Sequence, residues 1–315
     1  MQDFNFSVPQ KVIFGEGSIE EIADILLEEK LKKVLFIADP VLEKLGTAKK
    51  VAKIAEQADR VVTLYTEIEP NPSVETVEKA MACYQKSEAE GILVMGGGSA
   101  LDVAKAVGVL ARYGGSITEY EGSGKVPGKI VPIIAIPTTA GTGSEMTAFS
   151  VITDTSRNYK LTVASEKLLP AYAILDTELI MSLPERVAAA TGVDAIVHAV
   201  EAYLSRAATP FSDAMAEKAM ELLGKNIRRF VSDRSDREAA KAMLLGSNFA
   251  GIAFNLARLG NVHAMAHPVS AYFHAAHGEA NGALFCVVLE YNELADQGRY
   301  KKIYSYLEQE PKESY

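Results

Sequence analysis

Gly91-Ile-Leu-Val-Met-Gly-Gly-Gly-Ser-Ala-Leu-Asp-Val-Ala-Lys-Ala106 changes its periodicity once, and that change decides the fold. Residues 91–95 are a continuous apolar run, as expected of a strand buried on both faces, whereas 100–106 have the composition of a helix. Between them Gly96-Gly-Gly-Ser99 makes a tight strand-to-helix turn, with Ser99 expected to cap the helix and Asp102 to complete a capping box. Glycines permit close backbone approach, and a helix N-terminus offers unpaired N–H groups at the positive end of its dipole. The turn therefore suits a pyrophosphate. A ligand-free structural turn would use the same residues, and the run is not the G-x-G-x-x-G dinucleotide fingerprint.

Working outward, Lys33-Val-Leu-Phe-Ile-Ala38, Val61-Val-Thr-Leu-Tyr65 and Val131-Pro-Ile-Ile-Ala-Ile136 are further apolar runs of strand length. Residues 41–57 have helical apolar spacing, and Glu69-Pro-Asn-Pro-Ser73 reads as a turn. Strands alternating with helices predict an α/β parallel sheet with right-handed crossovers. After Leu183-Pro184 the chain is rich in Ala, Met, Leu and Glu, which predicts helices. A length of 315 residues also exceeds one comfortable core. The expected organisation is an α/β domain over 1–182 and a helical domain over 183–315, with a frayed polar tail from Glu308.

Composition excludes several functions. The formal charge of −9 argues against nucleic acid as a partner, because phosphate binding needs clustered positive charge. No apolar run approaches the roughly 20 residues of a membrane span, and the start, Met-Gln-Asp-Phe-Asn, has no signal-peptide pattern. Two cysteines, Cys83 and Cys286, provide neither a disulfide framework nor a thiolate metal cluster. A cytoplasmic protein with no membrane partner is expected.

Pro137-Thr-Thr-Ala-Gly-Thr-Gly-Ser144 follows another strand and offers hydroxyls and glycines to a ribose or phosphate. Two such loops at strand ends reinforce each other, because ligands of α/β sheets bind there. Asp39 ends the 33–38 strand. It can accept hydrogen bonds from an adenosine ribose and disfavour a 2′-phosphate, hence NAD over NADP, or it can simply cap a helix beside Pro40. Gly15-Glu-Gly17 reads as a structural turn.

All five histidines (His198, His263, His267, His274 and His277) follow residue 197. Asp194 and His198 stand four apart on a predicted helix, and His263 and His267 repeat that spacing, so each pair shares a face. Imidazoles with one carboxylate suit Fe²⁺ or Zn²⁺. The spacing is not the H-E-x-x-H protease helix, no G-x-S-x-G elbow occurs, and His274 reads as an ordinary surface or packed histidine.

Taken together, these residues resemble the iron-containing (group III) metal-dependent alcohol dehydrogenases. Gly96-Gly-Gly-Ser-Ala-Leu-Asp102 is similar to that family's phosphate turn, and Ile136-Pro-Thr-Thr-Ala-Gly-Thr-Gly-Ser-Glu145 to its nucleotide loop. Thr191-Gly-Val-Asp-Ala-Ile-Val-His198 and Gly260-Asn-Val-His-Ala-Met-Ala-His267 are similar to its metal signatures, and Pro70-Asn71-Pro72 and Asp39 also match. The resemblance implies a dehydroquinate synthase-like fold, an α/β dinucleotide-binding domain plus an all-α domain, with the active site between them. It implies metal ligation by Asp194, His198, His263 and His277, and a pyrophosphate held by Gly97, Gly98 and Ser99. Thr138, Thr139, Thr142, Ser144 and Lys160 would contact the rest of the NAD, with Asp39 and Asn71 at the adenosine ribose. His267 would orient the substrate or relay its proton. The implied reaction is metal-assisted, reversible hydride transfer between a small primary alcohol or diol and its aldehyde, in a homo-oligomer.

Two features depart from the pattern. Ala276 stands where the family has proline before its last ligand histidine, which leaves φ less fixed before His277, and Glu279 puts a charge where an apolar residue is expected. Relatives also carry further helices after the position of Tyr315, so shortened C-terminal helices and exposed apolar surface are expected. Alternative readings are a shortened relative that binds NAD or metal without turnover, a glycerol dehydrogenase, and a dehydroquinate synthase-type enzyme. The last would want several basic residues near the ligands, where the sequence offers mainly Arg258.

Overall fold

The computed structural model describes residues 11–57, 59–273, 275–296 and 298–307. His274 and the polar tail from Glu308 lie outside them. By packing, the chain divides into two units, one of residues 11–138 and 144–176 and one of residues 139–143 and 177–307.

The first unit is built on a six-stranded parallel sheet. Its elements are β1 (Lys11–Gly15), α1 (Ile22–Glu28), β2 (Lys33–Ala38), α2 (Pro40–Lys44), α3 (Thr47–Gln57), β3 (Val61–Tyr65), α4 (Val74–Lys86), β4 (Gly91–Gly96) and α5 (Gly98–Tyr113). After them come β5 (Gly122–Ser123), β6 (Ile133–Pro137), β7 (Phe149–Asp154), β8 (Tyr159–Ala164) and β9 (Tyr172–Asp176). The sheet order is β1-β9-β6-β4-β2-β3. Every residue of β4, β6 and β9 is buried, whereas β1 and β3, the two edges, are partly exposed. That contrast explains why the central strands read as continuous apolar runs. Val103 and Val107 of α5 join Leu35, Ile37, Ile92, Val94, Ile133 and Ala135 in one core. The register pairs Ala38 with Met95 and Gly96 with Pro137, so β2, β4 and β6 end at the same edge of the sheet.

Three details differ from the sequence reading. The helix expected over 41–57 is two helices, α2 and α3, because Gly46 takes φ +79 between them. The sheet gains β1 and β9, and β7 and β8 pair antiparallel in a second sheet of order β5-β8-β7. The capping box over Ser99 and Asp102 is not formed. Gly97 is the N-cap of α5, Ser99 lies inside the helix, and Asp102 turns away to Ser144 and Val151.

The second unit comprises α6 (Glu185–Leu204), α7 (Pro210–Ser232), α8 (Arg237–Ala257), α9 (Asn261–Phe273), α10 (His277–Glu293) and α11 (Tyr300–Tyr306). Thr209 caps α7 by accepting from Ser212 N at 3.2 Å, and Asp236 caps α8 by accepting from Ala239 N at 3.0 Å. α6 packs against α7, α8 and α10. It is longer and more apolar than the sequence reading allowed, and among the described residues it alone has the length and composition to cross a membrane. Its apolarity is that of a central helix, with 61% of the stretch buried and Asp194, His198 and Glu201 turned inward. On α9 and α10, Tyr272, Phe273, Val287 and Tyr291 are exposed.

Residues 139–143 belong to this unit although they follow β6 of the other. A Cβ on Gly141 would stand 2.6 Å from Thr191 Cβ, and one on Gly143 2.8 Å from Gly251 Cα, so only glycine lets this segment lie against α6 and α8.

Candidate functional site

α6 places Asp194, His198 and Glu201 on one face, since spacings of four and three keep them within one stripe of the helix. His263 is in the first turn of α9 and His277 opens α10. Asp194 Oδ1 lies 3.9 Å from His198 Nε2, 3.6 Å from His263 Nε2 and 4.0 Å from His277 Nε2. Donor atoms of Asp194, His263 and His277 all fall within 4.8 Å of one another. All four residues singled out as metal ligands are thus brought together, with Asp194, His198 and His263 buried and His277 half-buried.

Two imidazoles are held from behind. His198 Nδ1 donates to the Gly141 carbonyl at 3.2 Å, and His263 Nδ1 donates to Glu201 Oε2 at 2.6 Å. With Nδ1 engaged as donor, each ring turns its Nε2 toward Asp194. Glu201 also accepts from Val262 N at 2.7 Å, fixing the start of α9. Phe254 stacks on the His198 ring, centroids 4.4 Å apart.

The electrostatics follow from burial opposed by charge. Burial would raise the Asp194 carboxyl, but the imidazoles of His198, His263 and His277 outweigh it and hold the acid well below its usual range. Burial pushes His198 down to about 4, against Asp194. Burial also acts to lower His263, yet Asp194 and Glu201 overcome it and raise this imidazole to about 9. A buried anion among inward-facing imidazoles suits a divalent cation, and the nitrogen-rich set is of borderline hardness, as Fe²⁺ and Zn²⁺ prefer. His267 lies one turn beyond His263, half-buried, with its ring 5.3 Å from that of His277.

Neither departure around His277 disrupts the arrangement. Ala276 adopts φ −58 and ψ 131, values open to proline, so the backbone before His277 is unstrained without it. Glu279 accepts from Arg186 Nε at 2.5 Å and Nη2 at 3.0 Å, a solvent-side bridge from α10 to the first turn of α6.

Two residues here were not singled out from sequence. Glu201 completes the stripe of Asp194 and His198. Asn281, one turn after His277, is fully buried, and its Nδ2 lies 2.6 Å from Asp194 Oδ1, 3.1 Å from His263 Nε2 and 3.2 Å from His277 Nε2.

In the α/β unit Asp39, the turn at residues 97–99 and Thr138 follow the ends of β2, β4 and β6, while Asn71 follows β3 and Lys160 lies on β8. Gly97 and Gly98 open α5, a sixteen-residue helix, with Ser99 in its first turn. Gly96 is constrained, because a Cβ there would stand 2.8 Å from Ala100 Cβ. Thr138 N donates to Gly96 O at 3.1 Å, tying the loop after β6 to the glycine turn. Asp39 caps α2, its Oδ1 accepting from Val41 N at 3.0 Å. Asn71, in the left-handed region at φ +56, accepts from Lys160 Nζ at 2.7 Å. Thr139 and Thr142 lie in the segment that packs with the helical unit.

Ser144 is anchored rather than open. Its hydroxyl donates to Asp102 Oδ1 at 2.9 Å and accepts from Lys105 Nζ at 2.9 Å. Lys105 is fully buried and also donates to Thr147 Oγ1 and the Phe149 carbonyl. A lone lysine within the otherwise apolar run 103–110 was the available sequence signal for this anchor. Burial pushes Lys105 from 10.5 down to about 8, with Asp102 and Glu145 opposing. The unfolded chain therefore binds more protons between those two values, and this group's contribution shifts toward folding as pH rises through the window. Urea unfolding of the parent and Lys105→Met should show it. Their stability difference should move toward the parent by up to about 3 kcal/mol from pH 8 to 10.5 and stay flat below pH 7.

Comparison with known proteins adds an independent line. Residues 9–177 match the family described as iron-containing alcohol dehydrogenase, and residues 188–314 match the C-terminal part of the Fe-containing alcohol dehydrogenase family. The chain is 37% identical over 299 residues to the NAD-dependent methanol dehydrogenase of Bacillus methanolicus, covering 95% of this chain and 78% of that protein. It is 39% identical to alcohol dehydrogenase 4 of Schizosaccharomyces pombe, over 91% of this chain and 68% of that one. A crystal structure of a 1,3-propanediol oxidoreductase superposes with a TM-score of 0.96 at 35% identity, covering 98% of this chain and 81% of its own.

Proposed function

The chain belongs to the iron-containing alcohol dehydrogenase family, and from that premise we propose that it catalyses reversible hydride transfer between a small primary alcohol or diol and NAD, with a divalent ion at Asp194, His198, His263 and His277. The observation that carries the reading is the convergence of one buried carboxylate and three imidazoles, two of them held by Nδ1 so that Nε2 faces Asp194. Bound there, the ion supplies a Lewis acid that polarises the alcohol or carbonyl oxygen, and the nicotinamide supplies the hydride acceptor.

The chain's own residues supply the rest. Asp194 contributes negative charge against the cation. His267 is the imidazole that orients the substrate or takes its hydroxyl proton. The N–H groups of Gly97, Gly98 and Ser99 at the head of α5 bind the pyrophosphate. Asp39, with one oxygen on the α2 cap, and Asn71 receive the adenosine ribose, and Thr138, Thr139, Thr142 and Lys160 line the cofactor, with Ser144 anchored behind them by Asp102 and Lys105. The relatives named for methanol and 1,3-propanediol support a short alcohol or diol as substrate.

The test strips the protein with a chelator, restores Fe²⁺ or Zn²⁺ anaerobically, and follows NADH formation with short alcohols and diols. Turnover should vanish with the metal and return with it. Turnover indifferent to stripping would defeat the metal-assisted mechanism. Stoichiometric metal with no turnover on any alcohol would favour the binding-only relative.

A further inference from the structure

Asp194 Oδ1 and the Nε2 atoms of His263 and His277 converge on one small, largely buried volume. The side chain lying against all three is Asn281. Its Nδ2 is 2.6 Å from the carboxylate and 3.1 and 3.2 Å from the two imidazole nitrogens, and the residue is wholly buried. The carboxylate dictates which way the amide faces, since the opposite orientation would set the amide oxygen against Asp194 Oδ1. This orientation leaves Asn281 Oδ1 buried with no hydrogen-bond partner. An unsatisfied buried carbonyl is costly, so facing the N–H groups toward the donor atoms outweighs that cost.

We infer that Asn281 is a positioning residue for the metal centre. Its amide group, donating to Asp194 and lying against His263 and His277, keeps the three converged before an ion arrives, and holds the Asp194 carboxylate oriented afterwards. The inference rests on the proposed metal-binding reading and deepens it. Asn281 acts through the ligands, so it sets how tightly and how long the ion is held. α10 supports this geometrically: His277 and Asn281 are one helical turn apart, so a single helix delivers a ligand and the group that aligns the others.

The test uses two variants with the same number and branching of side-chain heavy atoms. Asn281→Asp exchanges the N–H donors for a second oxygen and a negative charge, and Asn281→Leu loses every polar atom. Zn²⁺ affinity is measured by chelator competition on the full chain, and Co²⁺ spectra are recorded on the same proteins. The expected result is Zn²⁺ binding weakened about 10- to 100-fold in Asn281→Leu, with Co²⁺ band positions unchanged once the site is filled, while Asn281→Asp reports what an added negative charge contributes. Equal affinity in all three proteins would reduce Asn281 to filling space and overturn the inference. So would a Leu variant that binds as tightly as the parent, or one with shifted Co²⁺ bands, since the shift would make the amide oxygen a ligand. A parent that fails to bind Zn²⁺ or Co²⁺ would overturn the metal-binding reading and this inference together. Should the Asp variant not fold, the Leu variant decides by the same two readouts.

Discussion

Asp194→Asn should abolish metal binding at working concentrations, weakening Zn²⁺ by on the order of 10³-fold, or about 4 kcal/mol. Asp194 is the anionic member of the proposed ligand set, and its Oδ1 lies within 4.0 Å of all three imidazole Nε2 atoms. An amide there leaves three neutral rings to receive two positive charges in a buried place, where an uncompensated charge is expensive. It also replaces the charged acceptor that Asn281 Nδ2 now meets at 2.6 Å with a neutral, weaker amide oxygen. Chelator competition, with circular dichroism to verify folding, measures the loss. An affinity within about tenfold of the parent's would remove Asp194 from the ligand set.

Gly278→Ala should be the most damaging single methyl group in the helical unit. The added Cβ would lie 2.1 Å from the Ala190 carbonyl oxygen and 2.7 Å from its carbon. Both are backbone atoms of α6, so no rotamer relieves the clash, and ordinary contact requires α10 to lift by more than about 1 Å. Gly278 adjoins His277, so the displacement is transmitted to that imidazole. The expected cost is about 1–3 kcal/mol of stability, with roughly 10²-fold in turnover, the usual penalty for an ångström of misplacement. Thermal unfolding and steady-state kinetics would measure the two. A variant with the parent's melting temperature and activity would show that α10 does not approach α6 this closely in solution.

What could be read from the sequence depended on whether a signal was local. β2 and β4 were legible because a strand buried on both faces is an unbroken apolar run, and β4 passes directly into the glycine turn. β1 was not, because only three apolar residues stand between Lys11 and Gly15, and β9 was missed although it is buried throughout, because its apolar run is just as short and bounded by Tyr172 and Asp176. The α2–α3 break was hidden because its apolar spacing continues past Gly46. The same distinction governs the site. Asp194 and His198 stand one turn apart and show in the sequence as a pair. The role of Glu201 depends on an imidazole 62 positions away and that of Asn281 on a carboxylate 87 positions away, and no spacing rule reaches so far. Asp102 misled for the complementary reason. Its local spacing fits a cap, while its actual partners, Ser144 and Val151, are 42 and 49 positions distant.

Residues 139–143 make the helical unit a discontinuous piece of chain. A fragment cut at Thr177 would have no carbonyl for His198 Nδ1 and nothing to cover Thr191 and Gly251, where Gly141 and Gly143 lie close. The unit is therefore not excisable. Its five-residue strap is synthesised before β7, β8 and β9, yet has nothing to pack on until α6 and α8 emerge from the ribosome. Circular permutation that opens the chain between 138 and 144 would sever this interleaving, whereas a break in the β7–β8 turn would preserve it.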